Sequence, residues 1–96
     1  MASENQMIVV VYDISNDRRR TRLHKKLKNY GTPVQYSVFE CLLTSEEIAQ
    51  MKAEVRRILK PRLDHVRYYQ LCTACRRRIE VTGRHEITTE PKAIVV

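Results

Sequence analysis

Residues Met7 to Tyr12 read Met-Ile-Val-Val-Val-Tyr, an unbroken apolar run rich in β-branched side chains, and Asp13 closes it. Such side chains lose rotamer freedom against a helical turn and pack well on a pleated surface, so the run predicts a β-strand. Successive strand side chains point to opposite faces. Met7, Val9 and Val11 therefore point one way while Ile8, Val10 and Tyr12 point the other, and the strand needs apolar cover on two sides. Any fold of this chain must supply both layers.

With 96 residues, the chain fits one domain, and a domain of this size removes only roughly 60 to 65% of its unfolded surface from water. A partner covering an apolar face would stabilise it appreciably. The helices that follow the strand can cover one side. The first is expected from about Asp17 to Tyr30, capped by the Ser15-Asn16-Asp17 cluster and stopped at Gly31 with Pro33 beyond, with Leu23, Leu27 and Tyr30 facing inward. The second starts at a capping box, Thr44 with Glu47, and carries Ile48, Met51, Val55, Ile58 and Leu59 at helical spacing as far as Pro61.

Between the helices, Val34 to Leu43 is strand-like, and no turn residue divides it. Val66 to Cys72 predicts another strand, Ile79 to Thr82 a short one, and Ala93 to Val96 an apolar tag. This order fits an α+β domain of ferredoxin-like βαββαβ plan, with two helices on one face of a largely antiparallel sheet. The other sheet face is expected to be covered by a second copy in a homodimer. Residues 1–6 form a polar lead, with Met7 a second candidate initiator. Residues 91–96 read either as a short strand closing the chain's own sheet or as a tail added to the partner's sheet edge.

The charge balance is 18 basic against 11 acidic residues, a net +7, and favours an anionic partner. Seven of the basic residues (Arg18, Arg19, Arg20, Arg22, Lys25, Lys26 and Lys28) fall in eleven positions free of acid. Arg76, Arg77 and Arg78 form a second cluster. The arginine fork matches phosphate oxygens better than an ammonium does, so nucleic acid is favoured over a membrane surface, with a solvated helix face as the alternative.

Asp13 stands where the first strand gives way to a helix N-terminus, a position that presents a side chain from a rigid support. A carboxylate there can hold a hard cation. Magnesium takes one or two protein carboxylates and completes its shell with water and phosphate oxygens, so one aspartate per chain is sparse but workable, and two copies would supply a pair. In such a site the arginines would neutralise charge growing on a phosphate. The alternative is an Asx turn in which Asp13 only satisfies backbone donors.

Three stretches carry a specific resemblance: Val11-Tyr12-Asp13-Ile14; Arg18-Arg19-Arg20 with Leu23, Leu27 and Tyr30-Gly31; and Val34-Gln35-Tyr36-Ser37-Val38-Phe39-Glu40-Cys41. Together they resemble the CRISPR-associated endonuclease family, the smaller of the two universal spacer-adaptation proteins, over Met7 to about Thr82. The resemblance implies a prokaryotic ferredoxin-like homodimer with magnesium-dependent phosphodiesterase activity on single-stranded RNA or double-stranded DNA. It also implies a scaffold that bridges two dimers of the larger integrase protein and helps hold protospacer DNA for insertion into the repeat array. Asp13 matches the metal-carboxylate and catalytic position, Tyr12 its strand neighbour, and Arg20 and Arg22 the phosphate-facing helix positions. Ser37 and Phe39 fall in the second motif as supporting residues.

Cys72-Thr73-Ala74-Cys75 is not a hallmark of that family. Zinc would need two more ligands, and only Cys41, His65 and His85 are on offer at irregular spacing. A redox pair is expected at a helix start, whereas this one is expected to precede a strand. His24 and His65 read as surface residues, with a general-base role as the alternative, and of Tyr68 and Tyr69 at most one can stack on a base because neighbours on a strand face opposite ways. Without a secretory signal or a stretch of roughly 20 apolar residues, the chain is expected in the cytoplasm with reduced thiols.

Overall fold

A computed structural model of the protein describes residues 5–83. Its elements run β1 (Gln6–Asp13), α1 (Asp17–Leu27), β2 (Gly31–Gln35), β3 (Val38–Leu43), α2 (Ser45–Ile58), β4 (His65–Leu71) and the short α3 (Thr73–Arg77). The four strands form one sheet in the order β2-β3-β1-β4, and each neighbouring pair is antiparallel. This is the ferredoxin-like arrangement that the order of elements predicts.

The apolar run became β1, a central strand. It pairs with β3 from Gln6↔Leu43 to Val11↔Val38 and with β4 from Met7↔Leu71 to Asp13↔His65. Its Ile8, Val10 and Tyr12 share one face with Phe39, Cys41 and Leu43 of β3, and there they pack against Leu23 and Leu27 of α1 and Ile48, Met51, Val55 and Ile58 of α2. Burying a side chain such as Phe39 stabilises the fold by about 1.5–3 kcal/mol. On the opposite face Met7 and Leu42 are also buried, while Val9, Val11 and Val38 keep part of their surface exposed. α3 packs against β1 and β4.

Both helix starts follow their local chemistry. Asn16 caps α1 by accepting the Arg19 N–H at 3.0 Å. In α2 the capping box is complete, with Thr44 Oγ1 accepting from the Glu47 N–H and Glu47 Oε1 accepting from the Thr44 N–H.

Three expectations need correction and one needs completion. α1 ends at Leu27, before Tyr30; residues 28–30 form a turn in which Tyr30 N–H donates to the Leu27 carbonyl at 2.9 Å. Gly31 is the first residue of β2 rather than a helix stop, and a Cβ there would collide with the Cys41 sulfur and the Glu40 carbonyl. The Val34 to Leu43 segment, which its side chains left undivided, holds the two strands that the βαββαβ plan requires, joined at Tyr36-Ser37. That turn is held from outside: Tyr12 N–H donates to the Ser37 carbonyl at 3.1 Å, and Tyr12 Oη–H donates to the Tyr36 carbonyl at 3.0 Å. Local turn chemistry could not reveal a turn pinned by β1.

The fourth concerns Ile79 to Thr82, which is not a strand. β4 spans His65–Leu71, and Cys72 then caps α3, so the chain leaves the sheet before Ile79. The expected strand at residues 93–96 lies outside the described residues.

Candidate functional site

Asp13 ends β1 with its side chain exposed, and among the described residues its carboxylate makes no hydrogen bond or ion pair. The Asx-turn alternative is therefore not what the structure shows, because Asn16 performs the capping. Asp13 opens onto a cleft of about 530 Å³ lined by Tyr12, Asp13, Ile14, Arg20, Thr21, His24, Tyr36 and Ser37. Strand β1, helix α1 and the β2–β3 turn each contribute a wall.

Within the cleft, the Tyr12 hydroxyl uses its proton on the Tyr36 carbonyl, and its oxygen lies 3.3 Å from His24 Nδ1. The oxygen is left as acceptor, so this geometry fits a proton on Nδ1. Burial raises the Tyr12 phenol above its ordinary value, and the Arg20 charge only partly offsets that. Tyr12 is thus a neutral donor. Phe39, fully buried, lies 5.1 Å edge-on from His24 and 6.3 Å from the Tyr12 ring, centroid to centroid. It supports the cleft from beneath rather than lining it. Half-buried Ser37 contributes its backbone carbonyl to Tyr12.

The basic residues of α1 divide into three groups. Arg20 donates to the Ile14 carbonyl at 2.9 Å and pairs with Asp17, which holds its guanidinium at the mouth of the Asp13 cleft; Arg18 is exposed nearby in sequence. Arg19 turns inward. Its Nε and Nη2 donate to the two oxygens of Asp64 at 2.7 and 3.1 Å, and Asp64 also accepts the Lys60 N–H at 3.0 Å. Those partners, Arg19 foremost, hold the Asp64 carboxyl below the usual aspartate range. This geometry takes Arg19 out of the phosphate-facing set, since its fork is already filled by a carboxylate.

The third group lines a groove of about 480 Å³ between the helices, where Arg22, Lys25, Lys26 and Asn29 face Glu54, Arg57 and Ile58 of α2. Glu54 is engaged by the Tyr30 hydroxyl and, at 3.9 Å, by Lys26 Nζ. Arg57 was missed by sequence reading, because no motif announces which cation of one helix will face those of another.

Arg76, Arg77 and Arg78 do not join this site. Arg76 lines a different cleft with Gln6, Met7, Gln70 and Cys72, at the end of β1 away from Asp13. Six steps of strand separate Met7 from Asp13, roughly 20 Å. His65 does come close: it is the residue directly across from Asp13 on β4. Tyr68 and Tyr69 face opposite ways, with Lys52 Nζ 5.1 Å from the Tyr68 ring centroid and Tyr69 exposed.

No group of three or more His, Cys, Asp or Glu side chains that could hold a metal occurs among the described residues. A magnesium ion at Asp13 would need water, phosphate oxygens or a second copy to complete its shell. No described helix is long and apolar enough to cross a membrane.

The model of the CRISPR associated protein Cas2 family matches residues 6–79. The chain belongs to the Cas2 family. It is 40% identical over 88 residues to the CRISPR-associated endoribonuclease Cas2 3 of Chloroflexus aurantiacus, covering 92% of this chain and 95% of that one. The solved Cas2 of Streptococcus pyogenes aligns with a TM-score of 0.70 at 33% identity, over 80% of this chain and 99% of that one. A chain of a partial Cas6-RT-Cas1–Cas2 complex aligns with a TM-score of 0.71 at 26% identity, over 95% of this chain and 99% of that one. The Cas2 family match spans every strand of the sheet and both long helices.

Proposed function

We propose that this chain is a CRISPR adaptation protein that binds the nucleic-acid backbone and supports insertion of new spacer DNA into the repeat array. The observation that carries this reading is the outward cationic surface of the two helices, where Arg22, Lys25, Lys26 and Arg57 surround a groove whose single acid is already engaged. Arg18 and Arg20 extend it toward Asp13. Phosphate contacts of this kind position a duplex without reading its bases, which suits a protein that must accept spacers of any sequence.

In this reading two copies join through the open sheet face, where Val9, Val11, Val38 and Tyr69 leave apolar surface exposed. The dimer then holds protospacer DNA between dimers of a Cas1-type integrase, as the name of the Cas1–Cas2 assembly favours. Arg76, Arg77 and Arg78 serve as a second phosphate contact at the far end of the sheet.

A second activity, phosphodiester cleavage of single-stranded RNA or double-stranded DNA, is favoured by Asp13, whose exposed carboxylate the described fold does not employ. Asp13 residues of two copies would hold Mg2+, which when bound lowers the pKa of an attacking water and polarises the scissile phosphate. Arg20 would offset the charge that grows on the phosphate.

Asp13→Asn separates the two activities. The variant should lose magnesium-dependent cleavage yet keep spacer acquisition with the integrase partner. Loss of acquisition with normal binding would overturn the scaffold reading. Arg20→Ala should weaken binding to all sequences alike and shallow the salt dependence by about 0.7–0.9 per lost phosphate contact; an unchanged slope removes Arg20 from the binding face.

A further inference from the structure

The Cys72-Thr73-Ala74-Cys75 motif has no place in the adaptation reading, and the structure changes its context. Instead of preceding a strand, it straddles the junction of β4 and α3. Cys72 caps α3, its sulfur accepting the Cys75 N–H at 3.4 Å and its carbonyl accepting the Arg76 N–H at 2.8 Å. Both thiols are free and exposed. The N–H to sulfur bond holds the two residues on one turn.

We infer that Cys72 and Cys75 form a reversible dithiol–disulfide couple, with Cys72 the attacking thiol and Cys75 the resolving one. Their order follows from the hydrogen bonds. The Cys75 backbone N–H and then the Cys75 thiol lower the Cys72 thiol from its ordinary value, while the Cys75 thiol, as donor to Cys72, is raised. The thiolate is the nucleophile, so Cys72 reacts first.

The oxidant is a small-molecule disulfide such as oxidised glutathione. The Cys72 thiolate attacks one of its sulfurs, forming a mixed disulfide and expelling one glutathione thiolate. Cys75 then loses its proton and attacks the Cys72 sulfur, closing the Cys72–Cys75 bond and expelling the second. Two protein thiols are oxidised and one disulfide is reduced. Cys72 stands at the N-cap with extended backbone and Cys75 is third in α3, and a disulfide needs their Cβ atoms about 3.5–4.5 Å apart. Closing the bond sets that spacing, and α3 has no buried residue to resist an adjustment. An exposed bond of that kind belongs to the easily reduced class.

Cys41 supplies an internal control. It is fully buried, and burial followed by the nearby Glu40 charge pushes its thiol up to about 12.

The test equilibrates the full-length protein with graded ratios of reduced to oxidised glutathione, alkylates the free thiols and maps peptides by mass. The Cys72–Cys75 peptide should lose two hydrogen atoms at oxidising ratios and regain them on reduction, with Cys41 alkylated only after unfolding. Cys75→Ser should trap one glutathione on Cys72. In Cys72→Ser the remaining Cys75 lacks the backbone N–H donor that the Cys72 sulfur has, and should react more slowly than Cys72 does in Cys75→Ser. Four results would each overturn the inference: a peptide that stays reduced throughout, a bond formed only between chains, equal reaction rates in the two variants, or stoichiometric zinc on the purified reduced protein. The wild-type measurement stands even if a variant folds poorly.

Discussion

At its Asp13 end, β1 meets helix α1, the β2–β3 turn and the start of β4; at its Gln6 end it meets the short α3 and the first residue of α2. The first junction is tied by Tyr12 to Tyr36 and Ser37, by Arg20 to Ile14, and by Arg19 to Asp64 across 45 positions of sequence. The second has side-chain bonds from Gln6 to Ser45 and Gln70, but α3 has no buried residue of its own. A charged group meant to hold its place belongs on the first kind of frame. A pair of thiols that must move to form a bond belongs on the second.

The largest expected difference between the two ends is in packing. Phe39→Ala should destabilise the protein by about 3–5 kcal/mol, since it empties the floor beneath Tyr12 and His24. Leu71→Ala at the other end removes a half-buried side chain and should cost about 1 kcal/mol. Urea midpoints for the pair would measure this, and equal losses would break the comparison.

Asp64→Asn should be felt next, and its signature is pH dependence. Because the folded protein holds this carboxyl below its ordinary value of 3.8, the group stabilises the fold at pH above that value. The benefit is lost as pH falls through the lower folded value. The stability gap between wild type and variant should therefore be widest at neutral pH and close in acid. A gap that widens in acid would contradict the Arg19–Asp64 assignment.

Tyr12→Phe is a finer probe. It removes the phenol bonded to the Tyr36 carbonyl and near His24, and a loss of about 1 kcal/mol is expected. Measured by chemical shift, the Tyr36-Ser37 turn should move more than any part of α3.

The smallest effects concern single phosphate contacts. Arg22→Ala and Arg57→Ala should each shallow the salt dependence of nucleic-acid binding by about 0.7–0.9. Arg19→Ala should leave it unchanged while lowering the melting temperature, because that guanidinium is bound to Asp64. Binding titrations at several salt concentrations would separate the three residues.

Much of the fold was legible without coordinates. An apolar run with two apolar faces demanded a central strand, Thr44 and Glu47 marked a helix start, and the order of elements pointed to the sheet plan. What escaped depended on distant partners. Asp64 offers no sequence cue as the acceptor for Arg19, His65 faces Asp13 only through strand register, and Arg57 joins Arg22 only through helix packing. The Tyr36-Ser37 turn contains no glycine, proline or asparagine because Tyr12 supplies the hydrogen bonds that local turn chemistry otherwise would. The helical turn after Cys72 was hidden for a related reason: Ile79 to Thr82 has strand-like side chains, but a cap on α3 takes the chain off the sheet first.

The amino-acid sequence by itself therefore determined the layers, the central strand and the excess of positive charge, since periodicity and capping act over a few residues. Only the tertiary structure decided which cations face outward, that Asp13 carries no capping duty and that Cys72 and Cys75 share a helix start. Each of these depends on groups brought together from separate elements, and their geometry exists only once the sheet and helices have packed.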